Sequence, residues 1–205
     1  MSEPRSDEDR AWFEDRALQL LPQLYAAAVH LTRNETDAED LVADTVARAW
    51  AALESLRDRA RLRGWLFRIL SNTFVSDRRR ALGRPAGQPA DEEGEPEEFS
   101  LFERLHAPVL LWSSDPEREF LDRLLREDLE RAIASLPDPF RLAVVLADVQ
   151  GFAYQEIADT LQIPVGTVRS RLARGRALLQ KALWEHARDA GLRTGTSRTP
   201  TPQAP

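Results

Sequence analysis

The chain has 205 residues and carries 28 Lys and Arg against 34 Asp and Glu, a net charge of −6 that argues against a polyanionic partner only if it is spread evenly. It is not: residues 1–50 sum to −6, 51–90 to +6, 91–130 to −10, 131–166 to −2 and 167–205 to +6. With no cysteine, a disulfide framework, a thiolate metal site and a cysteine nucleophile are excluded, and His30, His106 and His186 show no ligand spacing, so no metal and no cofactor are expected. The polar, acidic start (MSEPRSDEDR) and the lack of any run of about 18 apolar residues give the expectation of a cytoplasmic protein of one or two domains, without membrane insertion.

No period-two alternation is long enough for a strand, and helical spacing recurs in two lobes, residues 10–82 and 125–188. The fold class expected is therefore all-α, two small helical domains joined by an acidic flexible linker (83–124) and followed by a disordered tail (189–205) rich in Thr and Pro. In the first helix Leu18, Leu21, Tyr25 and Ala28 recur at three- and four-residue steps and predict its buried face. Thr36, Asp37, Ala38 and Glu39 form a capping box that starts the second, with Leu41, Val42, Thr45, Val46 and Ala49 turned inward. Asp37, Asp40 and Asp44 share the other side, either as a solvated face favourable to the helix dipole or as an acidic docking stripe.

The third helix is predicted over about Leu62 to Arg80, with Leu62, Leu66, Ile69, Leu70 and Thr73 inward. Arg61, Arg68, Asn72 and Arg79 line up opposite, Trp65 stands between stripe and core, and Arg78, Arg79 and Arg80 follow. Guanidinium groups for phosphates, a ring for stacking and an amide for base edges are what a nucleic-acid surface needs, although the same arginines would also serve as a solubilising face.

The second lobe is more specific. Leu129, Ile133 and Leu136 make an apolar face ending at Pro137, and Phe140, Val144 and Val145 continue in a further helix. After Gly151, Tyr154, Ile157, Ala158 and Leu161 predict a short helix; Gln162, Ile163 and Pro164 a tight turn; and Val168, Leu172, Gly175 and Leu179 the seat of the next helix. This is the layout of a helix-turn-helix, with Thr167, Ser170, Arg171 and Arg174 outward and Arg169 and Arg176 at the flanks. Polar and Arg side chains on the leading half of such a helix reach base edges and phosphates in the major groove.

Two blocks, Leu31 to Trp50 followed by Leu62 to Arg80, and Ala132 to Leu183, resemble the extracytoplasmic-function (ECF) sigma factors of bacterial RNA polymerase, in the family's order and over more than half of the chain. The resemblance implies a first domain like sigma region 2, which docks core polymerase and opens the minus-ten element, and a second like sigma region 4, which sets Val165 to Leu179 into the minus-thirty-five element. It assigns polymerase binding to Asp37, Glu39, Asp40, Leu41 and Asp44. Contact with the melted non-template strand falls to Arg61, Trp65, Arg68, Asn72, Arg78, Arg79 and Arg80, and contact with duplex DNA to Thr167, Arg169, Ser170, Arg171 and Arg174. Against many members, Ala43 and Asp44 replace a Gln-Glu pair, and the more basic Asp58, Arg59, Ala60 and Arg61 replace a Pro-Gly-Thr-Asn-like loop.

The partners implied are core polymerase and promoter DNA, duplex and melted; an anti-sigma factor is common in the family, and nothing in the sequence signals one. The acidic stretch Asp91 to Glu98 reads either as a solvated tether that keeps the lobes apart or as a segment threading the polymerase cleft, with Phe99 to Trp112 as a further contact. A different class of function, a stand-alone helix-turn-helix regulator with an N-terminal dimerisation or sensing module, would want a ligand pocket or oligomer seam in place of the Arg and Asn stripe. An enzyme acting on nucleic acid is not expected: no nucleophile and base sit at suggestive spacing, no Gly-rich phosphate loop occurs, and no catalytic residue is assigned.

Overall fold

The computed structural model describes residues 7–81 and 127–189, and of 185–189 the backbone alone. Among these residues every regular element is helical: α1 (Asp7–Thr32), α2 (Glu35–Ala51), short 3-10 turns at Leu53–Ser55 and Arg59–Arg61, α3 (Leu62–Ala81), α4 (described over 127–135), α5 (Asp138–Val144) running on into a π-helical turn at Val145–Val149, α6 (Tyr154–Leu161) and α7 (Val165–Asp189). The expected linker, with its acidic and apolar stretches, and the tail beyond Asp189 lie outside the described residues.

In the first lobe α1, α2 and α3 pack on one another, but α1 uses a different face from the one expected. Of the residues expected inward, Ala28 is buried and Leu21 half-buried, but Leu18 is 65% exposed and Tyr25 36%, while Phe13, Ala17, Leu24, Ala27 and Leu31 complete the buried face. At about 3.6 residues per turn the two faces differ by roughly a quarter turn. The helix has apolar residues on both, and the Ala-rich side lets α2 and α3 come close. The cap of α2 also lies two residues upstream of the one expected. Asn34 is extended (φ −148°, ψ 132°) and its side-chain oxygen accepts from the Asp37 amide at 3.1 Å, so Thr36 already sits inside the first turn. The inward residues of α2 and α3 are otherwise those expected, joined by Phe67, Ser71 and Phe74.

The second lobe is built around Ile133, Leu136, Leu142, Val144, Leu146, Ile157, Val168, Leu172 and Leu179, all buried. Full burial of each such side chain is worth about 1.5–3 kcal/mol. Leu129, expected on this face, is 42% exposed. Gly151 takes a left-handed φ of 70°, which frees the chain to turn into α6. Between α6 and α7, Gln162 is left-handed (φ 55°, ψ 45°), and the Ile163 amide returns to the Ala158 carbonyl at 3.1 Å. That bond closes α6 and aims α7 across it.

The two lobes touch. Phe67 of α3 and Phe152 meet edge to face with centroids 5.0 Å apart, and Arg78 pairs with Asp138 at 2.9 Å. Arg141 of α5, 1% exposed, donates from Nη1 to the Leu31 carbonyl of α1 and from Nη2 to the Leu136 carbonyl, both at 2.6 Å, and pairs with Asp138 at 3.0 Å. Burial first, and then the neighbouring Arg33 charge, bring its pKa down to about 10.

Candidate nucleic-acid and polymerase interface

The outward face of α7 follows from its seat. Val168, Leu172 and Leu179 point into the core, and Gly175 lets the helix come so close to α5 that an added Cβ would lie 2.8 Å from Val144 Cγ2. The opposite side carries Thr167, Ser170, Arg171 and Arg174, all half-buried, and Arg169, exposed. Ser170 Oγ donates to the Thr167 carbonyl at 3.0 Å, which leaves its lone pairs as acceptors. Arg176 is committed elsewhere. Its Nη2 and Nε donate to the two Asp148 carboxylate oxygens at 2.7 and 3.2 Å, and its Nη1 to Tyr154 Oη at 3.2 Å. Burial disfavours that charge, yet the Asp148 bonds outweigh it and raise the pKa. The π-helical turn presents Asp148 to this clamp, which ties α7 to the segment before α6.

On the first lobe, Asp58 caps the turn Arg59–Arg61 by accepting from the Ala60 amide at 2.9 Å. Arg59 anchors that turn to α1, pairing with Asp9 and lying 4.7 Å from the Trp12 ring centroid. Beside it opens a cleft of about 830 Å³ lined by Arg57, Arg61, Arg63, Trp65 and Arg68. The structure thus brings Arg61, Trp65 and Arg68 together. Asn72, Arg78, Arg79 and Arg80 lie outside this cleft, farther along α3; Arg78 is held by Asp138, and Arg80 by Asp77 at 3.1 Å.

Asp37, Asp40 and Asp44 line a second cleft of about 520 Å³ together with Asp77 and Arg78, between the start of α2 and the end of α3. Asp44 also pairs with Arg48 at 3.4 Å. Glu39 is exposed outside this cleft, whereas Leu41 is 4% exposed and belongs to the core. Sequence reasoning missed Arg57 and Arg63, which the every-second-residue arginines from 57 to 63 could have flagged. It also missed Phe152, Glu156 and Asp159, which reach the first cleft from the other lobe and carry no local signal. Among the described residues, no cluster of His, Asp and Glu suited to a metal ion occurs, and no helix is long and apolar enough to cross a membrane.

Two helical lobes, the second a helix-turn-helix with a polar and basic outward face, define a two-lobed helix-turn-helix protein. Residues 17–83 match the family model for sigma-70 region 2, and residues 126–179 that for sigma-70 region 4. The ECF RNA polymerase sigma factor SigE of Mycolicibacterium smegmatis is 37% identical over 166 residues, 80% of this chain and 59% of that protein's length. The RNA polymerase sigma-H factor of Pseudomonas aeruginosa is 31% identical over 182 residues, 89% of this chain and 91% of that protein. Among solved structures, the sigma factor RpoE in complex with the anti-sigma factor NepR from Bartonella quintana is similar, with a TM-score of 0.58 at 30% identity over 84% of this chain and 96% of that one. The chain belongs to the sigma-70 family of RNA polymerase sigma factors, among its ECF members.

Proposed function

We propose that the protein binds core RNA polymerase in the cytoplasm and directs it to a subset of promoters, where it recognises two DNA elements and helps to melt one, without itself catalysing a reaction. Residues 10–82 would dock polymerase and read the minus-ten element, and residues 125–188 the minus-thirty-five element. The observation that carries this reading is the pairing on one chain of two differently built basic sites. One is a face on α7 shaped for a duplex groove; the other is a cleft where Arg61 and Arg68 flank the indole of Trp65, suited to an unpaired strand. Asn72, Arg78, Arg79 and Arg80 extend the second site along α3.

Asp37, Glu39, Asp40 and Asp44 supply an acidic surface for a basic partner on polymerase, with Leu41 supporting it from the core. Thr167, Arg169, Ser170, Arg171 and Arg174 contact duplex DNA. An anti-sigma factor belongs to the reading as a partner, since a similar sigma factor was solved with one. The test is a run-off assay with core polymerase and a promoter library: transcripts should depend on the protein, and Arg174→Ala should weaken promoter binding by the holoenzyme in a salt-dependent way. Tight binding of the isolated protein to duplex DNA as a dimer, with no affinity for core polymerase, would instead support the stand-alone regulator.

A further inference from the structure

The seat of α7 is one narrow stripe. Val168, Leu172, Gly175 and Leu179 are buried, and at roughly 100° per residue they fall within about 60° of one another. Such a stripe fixes how close the helix comes to α5 but holds its rotation about its own axis only weakly. Arg176, next to Gly175, projects about 70° to one side of the stripe. There its Nη2 and Nε donate to the two oxygens of Asp148 at 2.7 and 3.2 Å, and its Nη1 to Tyr154 Oη at 3.2 Å. The π-helical turn is what brings Asp148 to this place: the Gln150 amide bonds back five residues to the Val145 carbonyl at 2.9 Å, one residue more than an α-helical turn spans. The Asp148 side chain is 10% exposed and that of Arg176 25%, so salt screens the pair little.

The clamp also holds α6. Tyr154 is the first residue of that helix, and the turn from Gln162 to Pro164 joins its other end to α7. Its eight residues make α6 about 12 Å long, so the two helices are tied at both ends of the shorter one. Arg174, two residues before Arg176, lies about 200° round α7, on the outward face with Thr167, Ser170 and Arg171. Side chains end roughly 5–6 Å from a helix axis, so a roll of about 10° moves the outward groups by about 1 Å. Base edges are read through hydrogen bonds whose useful range spans only about 0.5 Å. Phosphate contacts tolerate such a shift, because a cation acts there mainly through its charge.

We infer that Arg176 is a positioning residue and not a phosphate contact: with Asp148 and Tyr154 it sets the roll of α7, and through that roll the discrimination between base sequences in the duplex element. This rests on the reading of α7 as the duplex-reading helix. By spacing alone Arg176 is one more arginine flanking the recognition face; the structure directs its donors to a carboxylate and a phenol of its own chain.

The test compares full-length variants, in holoenzyme, on a duplex promoter fragment and on fragments with single base changes in the minus-thirty-five element. The readout is the ratio of the two affinities; it is taken on one protein, so an unfolded fraction lowers both and cancels. Arg176→Met keeps an apolar stem and removes the clamp. It should lower the discrimination ratio about tenfold and leave the slope of log affinity against log salt unchanged. Arg176→Lys should behave like Arg176→Met, because an ammonium lacks the fork that meets both carboxylate oxygens, whereas at a phosphate lysine would serve nearly as well as arginine. Asp148→Asn should lower discrimination with no gain in affinity; an Arg176 released toward DNA would instead raise affinity and steepen the slope. Tyr154→Phe deletes only the Nη1 bond and should lower the ratio about threefold, which keeps the test decisive if a clamp variant fails to fold. Unaltered discrimination in the clamp variants, a slope reduced by about 0.9, or rescue by lysine would overturn the inference. Arg174→Ala is measured alongside. If it leaves promoter affinity unchanged, the duplex reading of α7 falls and the inference with it; weakened binding there beside unaltered clamp variants overturns the inference alone.

Discussion

Gly175→Ala tests how α7 is seated. In an open helix the change stabilises by about 1 kcal/mol through backbone propensity. Here the new methyl would lie 2.8 Å from Cγ2 of Val144, which is 1% exposed, and 3.4 Å from Phe140 Cβ. Val144 is β-branched and enclosed in α5, so it has no other rotamer to adopt cheaply, and such overpacking costs about 1–3 kcal/mol. The net expectation is a loss of up to about 2 kcal/mol. Val144→Ala alone removes two methyl groups and costs about 1.6 kcal/mol or somewhat more with its cavity. In that background Gly175→Ala should change sign and stabilise by about 1 kcal/mol, because the space is vacant and the propensity gain remains. Equilibrium urea unfolding of the four proteins gives the coupling directly. If Gly175→Ala stabilises the unmodified protein, or costs the same in both backgrounds, the close approach of α7 to α5 is not what fixes this helix.

Arg141→Met removes the donors for the Leu31 and Leu136 carbonyls; two hydrogen bonds from a charged donor make the cost about 3–5 kcal/mol, read as a lower urea midpoint. His30 of α1 has its pKa lowered by burial, with the Glu130 charge opposing. The unfolded chain therefore binds the proton more readily: stability is full above a pH of about 6.5 and falls as the pH drops toward the folded pKa. His30→Gln should flatten the unfolding midpoint between pH 7 and 5. Arg169→Ala should reduce the slope of log affinity against log salt for holoenzyme on duplex promoter DNA by about 0.9, leaving polymerase binding intact.

The second lobe was legible because its signals are local. Gly151, the turn from Gln162 to Pro164 and the spacing of Val168, Leu172, Gly175 and Leu179 each fix a feature within a few residues, and the structure keeps all of them. The first lobe was read correctly where one apolar stripe stands against a charged face, as in α2 and α3. In α1, apolar residues cover two adjacent faces, so periodicity offered both, and packing against α2 and α3 selected the one containing Phe13 and Leu24 over that of Leu18 and Tyr25. The junction of the lobes could not be read. Arg141 bonds a carbonyl 110 residues away and Arg63 one 87 residues away, and nothing adjacent to either distinguishes it from a surface arginine. The stripe on α3 was likewise foreseen as one surface, yet it divides between a cleft shared with α6 and an outer end where Arg78 and Arg80 are paired.

The central claim is that this protein gives core polymerase access to promoters that neither recognises well alone. Its most direct test is the affinity of a labelled promoter fragment for the protein, for core polymerase and for the two together, with permanganate reactivity of thymines reporting strand opening. Tight binding and opened thymines only in the combined sample are predicted. Equal binding by the protein alone, or no opening with both present, would contradict the account.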